Sequence, residues 1–285
     1  MSSRRRFLVT FATPDFKESL RRLVGSAHRS GQFEDVYIWD ETLLRSDPQF
    51  RGKELLDYDR GIGFWSWKPH IILDALSRAR DGDIVVYSDA GRYRGGYTVN
   101  RSVDPLVEFA DLNGGFLPGV LIPHFGPNSR WTRRDCFVLM GCDSVRYWSH
   151  PQIQATFSVW IKNEQSLLLL QQWRAYCTDI RIIGDGPNSC GLPNLPGFID
   201  HRHDQSVLTN LVLMRRVTPF VVKSRLFRGL VAVKPRALSA SLVLKRIDNI
   251  SAIAAGTHPI VPLAREVLAS RTLARYASRR SANDA

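Results

Sequence analysis

The sequence predicts an α/β fold in which helices flank a mostly parallel central sheet. Residues 6–13 and 36–39 are apolar runs typical of strands, and residues 16–30 between them have the spacing of an amphipathic helix. Parallel strands need a crossover of this kind, so this order favours two neighbouring parallel strands. Residues 84–87 predict a third strand, because a continuous apolar, β-branched run is typical of a strand buried on both faces.

The later part of the chain continues this mixture of helices and strands. Helical spacing of apolar residues recurs at residues 70–80, 163–176 and 201–214. Residues 154–161 alternate in a strand-like way, and residues 217–222 are a candidate last strand.

A basic extension follows the predicted α/β domain, which spans residues 1–226. Residues 227–285 are rich in Ala, Ser, Leu and Arg, and they predict helices at 243–254 and 263–277. Such helices either pack as a pair with one solvated basic face or lie on an anionic membrane surface. The sequence leaves both arrangements open.

The composition limits the partners and the compartment. The 285 residues carry a formal net charge of +12, which favours anionic partners such as nucleic acid, an anionic membrane or phosphorylated substrates. Four cysteines without CxxC spacing argue against a zinc site and against a disulfide framework. No apolar run approaches the roughly 20 residues of a membrane helix. We therefore expect a cytoplasmic protein that reaches the inner membrane face, if at all, through its basic extension.

Asp89 lies at the end of the predicted third strand, in the turn Ser88-Asp89-Ala90-Gly91. Open α/β sheets bind ligands just beyond the carboxyl ends of their strands, and small residues there let a ligand approach the backbone. A carboxylate at this point is a candidate metal or phosphate-site residue. The alternative is that Asp89 only caps or turns the chain.

Two tryptophans and a lysine precede the helix predicted at residues 70–80. Trp65, Trp67 and Lys68 are followed by Pro69, which suits the first turn of a helix. Helix N-termini attract phosphate, so Lys68 is a candidate contact for a diphosphate, and a Trp ring can stack on a base or sugar. The alternative for at least one of the two Trp is burial in the core.

A polar cluster opens the last predicted helix of the domain. His201, His203 and Asp204 follow a loop rich in Gly, Pro and Asn. Two His and an Asp suggest metal, but residues two apart do not share a helical face, which weakens a two-His site. Asp204 is a candidate general base or helix N-cap, and His203 ordinarily titrates near neutral pH.

Three arginines form another candidate site. Arg130, Arg133 and Arg134 lie beside Trp131 and Asn128, and together they can hold a phosphate or a departing diphosphate. The alternative is a solvated basic loop. The sequence contains no GxGxxG, Walker, GxSxG or HExxH motif, which argues against dinucleotide redox enzymes, P-loop phosphotransferases, serine hydrolases and zincins.

Five stretches together resemble a bacterial group of glycosyltransferase-like proteins with the A-type nucleotide-sugar transferase (GT-A) fold. In such sequences a W-K-P helix start precedes a strand that ends in D-A-G, and an H-x-D-Q stretch opens a late helix. The resemblance runs from about Phe7 to about Leu226 and does not cover the extension. The matching stretches are GFWSWKPHIILDAL, GDIVVYSDAG, RWTRRDCFVLMGCDS, PQIQATFSVWIKNEQS and HRHDQSVLTNL.

The resemblance implies sugar transfer from a nucleotide-diphosphate sugar to a glycan or lipid-linked acceptor, with Mn²⁺ or Mg²⁺, in surface polysaccharide synthesis. The acidic metal motif of such proteins often has two Asp residues, whereas this turn offers only Asp89. Asp89 is then the metal residue, Asp204 the candidate base or acceptor-orienting residue, and His203 its alternate. The substrate-binding candidates are Trp65, Trp67, Lys68, Arg133, Arg134 and Gln205.

Two other functions stay open at the level of the sequence. A catalytically inactive protein that binds a sugar nucleotide, or acts as a scaffold, would share these motifs. A nucleic-acid-binding protein is suggested by the charge of +12 alone, and the usual nucleic-acid-binding motifs are absent.

Overall fold

A five-stranded mixed sheet forms the centre of the protein. The structure is a computed structural model, and it describes residues 4–91 and 96–217. The sheet consists of β1 (Arg6–Phe11), β2 (Asp35–Trp39), β3 (Ile84–Ser88), β4 (Phe116–Leu117) and β7 (Phe157–Ile161). A separate antiparallel pair consists of β5 (Val120–Leu121) and β6 (Ile153–Gln154).

The direction of the strands confirms the predicted α/β class. The order in the main sheet is β2–β1–β3–β7–β4, with β1 parallel to β2 and to β3. The strand β7 is antiparallel to both of its neighbours, β3 and β4. Four of the five strands therefore run in one direction, and the sheet is mostly parallel as predicted.

Helices cover both faces of this sheet. They are α1 (Lys17–Ser30), α2 (Glu41–Ser46), α3 (Gly61–Phe64), α4 (Lys68–Arg78), α5 (Asp104–Leu112), α6 (Arg134–Leu139), α7 (Val145–Trp148), α8 (Glu164–Cys177), α9 (Ile180–Ile183) and α10 (Asp204–Met214). Short 3₁₀ turns lie at Pro14–Phe16, Lys53–Asp57, Pro123–Phe125 and Asn128–Arg130. Among the described residues, no helix is both long enough and apolar enough to cross a membrane.

The side chains of β1 alternate between two hydrophobic clusters, because successive strand residues point to opposite faces. Phe7 and Val9 belong to a cluster that contains the apolar faces of α4, α8 and α10. Leu8 belongs to a second cluster, which contains those of α1 and α5. All five residues of β3 are buried, which confirms that this strand is covered on both faces.

Some predicted elements differ from the observed ones. The strand-like run at 154–161 is two strands in different sheets, β6 and β7, separated by Ala155 and Thr156. The helices α2 and α5 were not predicted, although α5 has a Pro in its first turn, which is a start signal. The predicted strand at 217–222, apart from Val217, and the helices of the extension lie outside the described residues.

Candidate active site

The candidate site lies at the edge of the sheet where β1, β2 and β3 end. Asp89 follows β3 directly, and its backbone N–H donates a hydrogen bond to the Thr156 carbonyl, 2.8 Å away. Because β7 is antiparallel to β3, it begins at the edge where β3 ends. This edge is where open α/β sheets place their ligands.

Lys68 joins two carboxylates that are far apart in the sequence. Its ammonium lies 2.7 Å from Oδ2 of Asp204 and 3.5 Å from Oδ1 of Asp89. It also donates a 3.0 Å hydrogen bond to the Ala155 carbonyl. The structure thus brings together three residues that the sequence singled out separately, and we call Lys68, Asp89 and Asp204 the charged triad.

The members of the charged triad differ in their access to solvent. The Lys68 and Asp204 side chains are 4% and 5% exposed, whereas that of Asp89 is 23% exposed. Lys68 and Asp204 form an ion pair, and Oδ2 of Asp204 has no other polar partner among the described residues. The ammonium of Lys68 is enclosed by protein oxygens, so Asp89 is the member placed to meet a ligand.

Burial shifts the pKa values of the charged triad. Burial raises the pKa of Asp204 to about 6, and the nearby charge of Asp89 also raises it. The ammonium of Lys68 acts in the opposite direction and lowers this pKa. Burial alone would lower the pKa of Lys68, but the two carboxylates outweigh it and hold this pKa above its usual value. One lysine and two aspartates give the charged triad a net negative formal charge.

Tyr87 orients the exposed member of the charged triad. It is 1% exposed, its hydroxyl donates a hydrogen bond to Oδ1 of Asp89, and its ring lies 5.3 Å from the Lys68 ammonium. Burial raises the pKa of Tyr87 well above its usual value, so the hydroxyl keeps its proton. Sequence reasoning missed Tyr87, although residues two apart at a strand end share a face.

The two tryptophans have different environments. Trp67 is 3% exposed, stacks on Phe11 with ring centroids 4.0 Å apart, and donates a hydrogen bond from its indole N–H to the Gly61 carbonyl. Trp67 is therefore a core residue. Trp65 is only half-buried, and its ring centroid lies 5.6 Å from that of His203.

A left-handed turn places Trp65 and leads into Lys68. Residues 61–65 all have positive φ, and three of them, Ile62, Phe64 and Trp65, are not glycine. Such backbone strain costs on the order of 1–3 kcal/mol per residue and is concentrated at functional sites. The turn is tightly packed, because a Cβ added at Gly63 would lie 2.7 Å from the Leu55 carbonyl oxygen.

We expect Gly63→Ala to destabilise the protein more than Gly31→Ala. Both glycines have left-handed φ values, 77° for Gly63 and 63° for Gly31. The backbone strain of an alanine at either position therefore lowers the free energy of unfolding by about 1 kcal/mol. At Gly31 no atom of the described residues lies within 4 Å of the added carbon, whereas at Gly63 the overlap adds about 1–3 kcal/mol. Urea unfolding of the two variants measures the difference, and equal losses would contradict the packing of this turn.

His203 is a buried, neutral histidine with one unpartnered nitrogen. Its Nδ1 lies 2.7 Å from the Ile183 carbonyl, which can only accept, so the ring proton is on Nδ1. Burial lowers the pKa of His203, although Ile183 and Asp185 oppose this. Its Nε2 has no hydrogen-bond partner within residues 4–91 and 96–217, and it lies 3.6 Å from Oδ1 of Asp185.

His201 differs from its neighbour because both of its ring nitrogens are engaged. Nε2 lies 2.9 Å from the Ile182 carbonyl oxygen, and Nδ1 accepts a hydrogen bond from the Arg133 backbone N–H at 3.2 Å. Burial lowers the pKa of His201 well below its usual value. His201 therefore stabilises the fold, and the two histidines do not form a paired metal site.

Arg133 and Arg134 make their contacts within the protein. The Arg133 guanidinium is buried and donates hydrogen bonds to the Gly184 carbonyl, the Pro187 carbonyl and Asp135. Arg134 pairs with Asp143 at 2.9 Å. The alternative of a solvated loop is wrong for Arg133, because its side chain holds the segment after α9 in place.

Gln205 supports the charged triad through the backbone. Its side-chain nitrogen donates a 2.6 Å hydrogen bond to Gln152, and its side-chain oxygen accepts one from the Ala155 N–H at 3.4 Å. The Ala155 carbonyl in turn accepts the hydrogen bond from Lys68. Gln205 thus positions the strand segment that Lys68 contacts.

The groups around Asp89 fit a cation whose other ligands come from a bound diphosphate. Among the described residues, no group of three or more His, Cys, Asp or Glu side chains is arranged to hold a metal ion by itself. Asp89 has one oxygen engaged with Tyr87 and a partly exposed carboxylate. One carboxylate suffices where phosphate oxygens and water complete the coordination of Mg²⁺ or Mn²⁺.

The basic N-terminal stretch is neutralised by acidic partners. Arg4 pairs with Asp111, Arg5 with Asp83, and Arg6 with Asp104; the distances are 2.6, 2.7 and 2.5 Å. Residues 218–285 contain 12 Lys or Arg and 3 Asp or Glu, so they account for +9 of the net charge of +12. The net charge therefore gives little support for nucleic-acid binding by residues 1–217.

Comparison of the chain with protein-family models found no matching family, and comparison with curated proteins found no match. The function is therefore inferred from the sequence motifs and from the geometry of the described residues.

Proposed function

We propose that the protein is a glycosyltransferase with a GT-A fold that moves a sugar from a nucleotide-diphosphate sugar to a glycan or lipid-linked acceptor. The observation that carries this proposal is the charged triad at the carboxyl edge of the sheet, where Lys68 contacts both Asp89 and Asp204. The mostly parallel sheet is compatible with such a fold. Surface polysaccharide synthesis at the inner membrane face is the proposed setting.

Asp89 is the proposed residue for Mn²⁺ or Mg²⁺. A bound cation would act as a Lewis acid that stabilises the negative charge of the departing diphosphate. The net negative charge of the triad supports this assignment, because without a bound cation the triad would repel the anionic donor. Asp89 is also the most exposed of the three side chains.

Lys68 and Tyr87 act on Asp89 and are positioning residues. The nearby ammonium attracts the charge of the carboxylate, and the tyrosine hydroxyl holds one of its two oxygens. The other oxygen is left for a ligand. Such preorganisation avoids rearrangement when charge develops during the reaction.

Asp204 and His203 are the two candidate bases, and their surroundings support a different role for each. Asp204 has a raised pKa, but its carboxylate is paired with Lys68. His203 is neutral, with its lone pair on Nε2, and no donor in the described part of the chain engages that atom. We assign to His203 the role of the base that takes the proton from the hydroxyl of the acceptor. Asp204 then has the role of orienting the Lys68 side chain.

We expect the activity to fall as the pH is lowered through about 6. Both assignments require deprotonated groups: Asp204, with a pKa of about 6, must be ionised to hold Lys68, and His203 must be neutral. The value of kcat/KM should therefore be constant near neutral pH and decrease as these groups gain protons. A pH–rate profile with unfolding checked at each pH measures this, and constant activity down to about pH 4 would contradict it.

Release of the nucleoside diphosphate tests the proposal directly. Purified protein with Mn²⁺ is expected to hydrolyse or transfer at least one common nucleotide sugar, and loss of donor is measured by chromatography. Binding without turnover would instead identify an inactive sugar-nucleotide-binding protein. Salt-dependent binding to DNA with no nucleotide-sugar binding would favour the nucleic-acid alternative.

A further inference from the structure

A cleft lies between the segment around the left-handed turn and the segment that includes α9. Its volume is about 480 Å³, and its walls include Tyr58, Arg60 and Phe64 on one side and Arg181 and Asp185 on the other. Small-molecule sites typically have volumes of about 300–1,000 Å³. We propose that this cleft binds the neutral carbohydrate portion of the acceptor, an inference that rests on the proposed transferase function.

The charges of the cleft favour a neutral ligand. The lining contains three Asp and three Arg residues, so their formal charges cancel. A nucleoside diphosphate would be better held by an excess of positive charge, and a cation by an excess of negative charge. Arg133 and Asp135 are buried and pair with each other. The exposed charged groups that remain are two carboxylates, Asp59 and Asp185, and two guanidiniums, Arg60 and Arg181. A sugar hydroxyl can donate a hydrogen bond to the former and accept one from the latter.

Tyr58 gives the cleft an exposed aromatic surface. It is 47% exposed, and its ring centroid lies 5.0 Å from that of Phe64, which also lines the cleft. An aromatic ring combines a broad apolar face with a polar hydroxyl, which suits a ligand that is apolar on its C–H face and polar at its edge.

His203 connects the cleft to the charged triad. Its ring stacks on Phe64 at 4.9 Å between centroids, and its unpartnered Nε2 faces Asp185, so both neighbours belong to the cleft lining. The next residue in the chain is Asp204, whose carboxylate contacts Lys68. A buried polar atom with no partner among the described residues is costly, and this one contacts residues that line a polar cleft. An acceptor in the cleft would therefore lie beside the proposed base.

Isothermal titration of the full chain with a panel of neutral tri- and tetrasaccharides, without any nucleotide sugar, tests this assignment. At least one oligosaccharide is expected to bind, and Tyr58→Ala should weaken its binding by about tenfold, a typical effect for a central aromatic contact. Tyr58→Phe keeps the ring, and its Kd for the oligosaccharide should lie within about threefold of the wild-type value. Phe125→Ala removes another exposed aromatic, 42% exposed and outside the cleft lining, and should bind as the wild type does.

The outcomes separate this assignment from the proposed function. Absence of oligosaccharide binding by the wild type, or equal binding by Tyr58→Ala, overturns the cleft assignment even if nucleotide sugars bind. Oligosaccharide binding that depends on Tyr58, with no binding or turnover of any nucleotide sugar, overturns the transferase function while the carbohydrate cleft stands.

Discussion

Replacement of Lys68 with methionine is expected to destabilise the protein by about 3–5 kcal/mol at neutral pH. The ammonium neutralises Asp204, which is only 5% exposed, and removal of one partner of a buried pair leaves an uncompensated charge at about this cost. The loss should shrink as the pH falls toward about 5, because a protonated Asp204 has no charge to compensate. Urea unfolding at several pH values measures both effects.

Lys162 provides a matched control for this substitution. Its ammonium donates a 2.8 Å hydrogen bond to the Ala79 carbonyl and has no carboxylate partner among the described residues. Lys162→Met should therefore cost only about 1 kcal/mol, the usual value of one hydrogen bond. In the double variant Lys68→Met/Asp204→Asn the loss should be less than the sum of the two single losses. Additive losses would show that the pair is not coupled.

Asp89→Asn is expected to lower the rate of sugar transfer by about 10²–10³ while it changes stability by less than about 1 kcal/mol. The rate falls because one preorganised charged contact is lost at the reacting centre. Stability changes little because the carboxylate is 23% exposed and the amide keeps its size. Steady-state kinetics and urea unfolding of the same preparation separate the two quantities.

Asp143→Asn is the control for a general effect of removing a carboxylate. Asp143 is 21% exposed and pairs with Arg134, so its exposure and its ion pairing resemble those of Asp89. It makes no ion pair with the charged triad in the described part of the chain, and its variant should keep the wild-type rate. A comparable loss in both variants would mean that Asp89 has no special role.

The central strands were predictable because their sequences are governed by burial. The apolar run at Ile84–Ser88 has no solvated face, and the observed strand is buried along its whole length. The separation of β6 from β7 was not predictable, because both are apolar segments of one run and their pairing depends on distant residues. The left-handed conformation of Ile62, Phe64 and Trp65 has no local signal either, since these residues ordinarily avoid positive φ.

The individual members of the charged triad were predictable, but their contacts were not. Asp89 follows a strand, and Lys68 and Asp204 each begin a helix, so element boundaries indicated all three. Their contact depends on how α4 and α10 pack on the same face of the sheet. The sequence predicted that Lys68 contacts a diphosphate. In the structure its ammonium is buried and already surrounded by the Ala155 carbonyl and two carboxylates.

A thermal-shift titration with nucleoside diphosphates and their sugars, with and without Mn²⁺, tests the central assignment of Asp89 most directly. A ligand present at about 100 times its Kd stabilises the folded state by about 2.7 kcal/mol, which raises the Tm of a domain of this size by roughly 5–10 °C. We expect such a rise for at least one nucleotide sugar with Mn²⁺, a smaller rise without it, and none for Asp89→Asn. Equal shifts for the wild type and Asp89→Asn, or no shift with any nucleotide sugar, would contradict a donor site at Asp89.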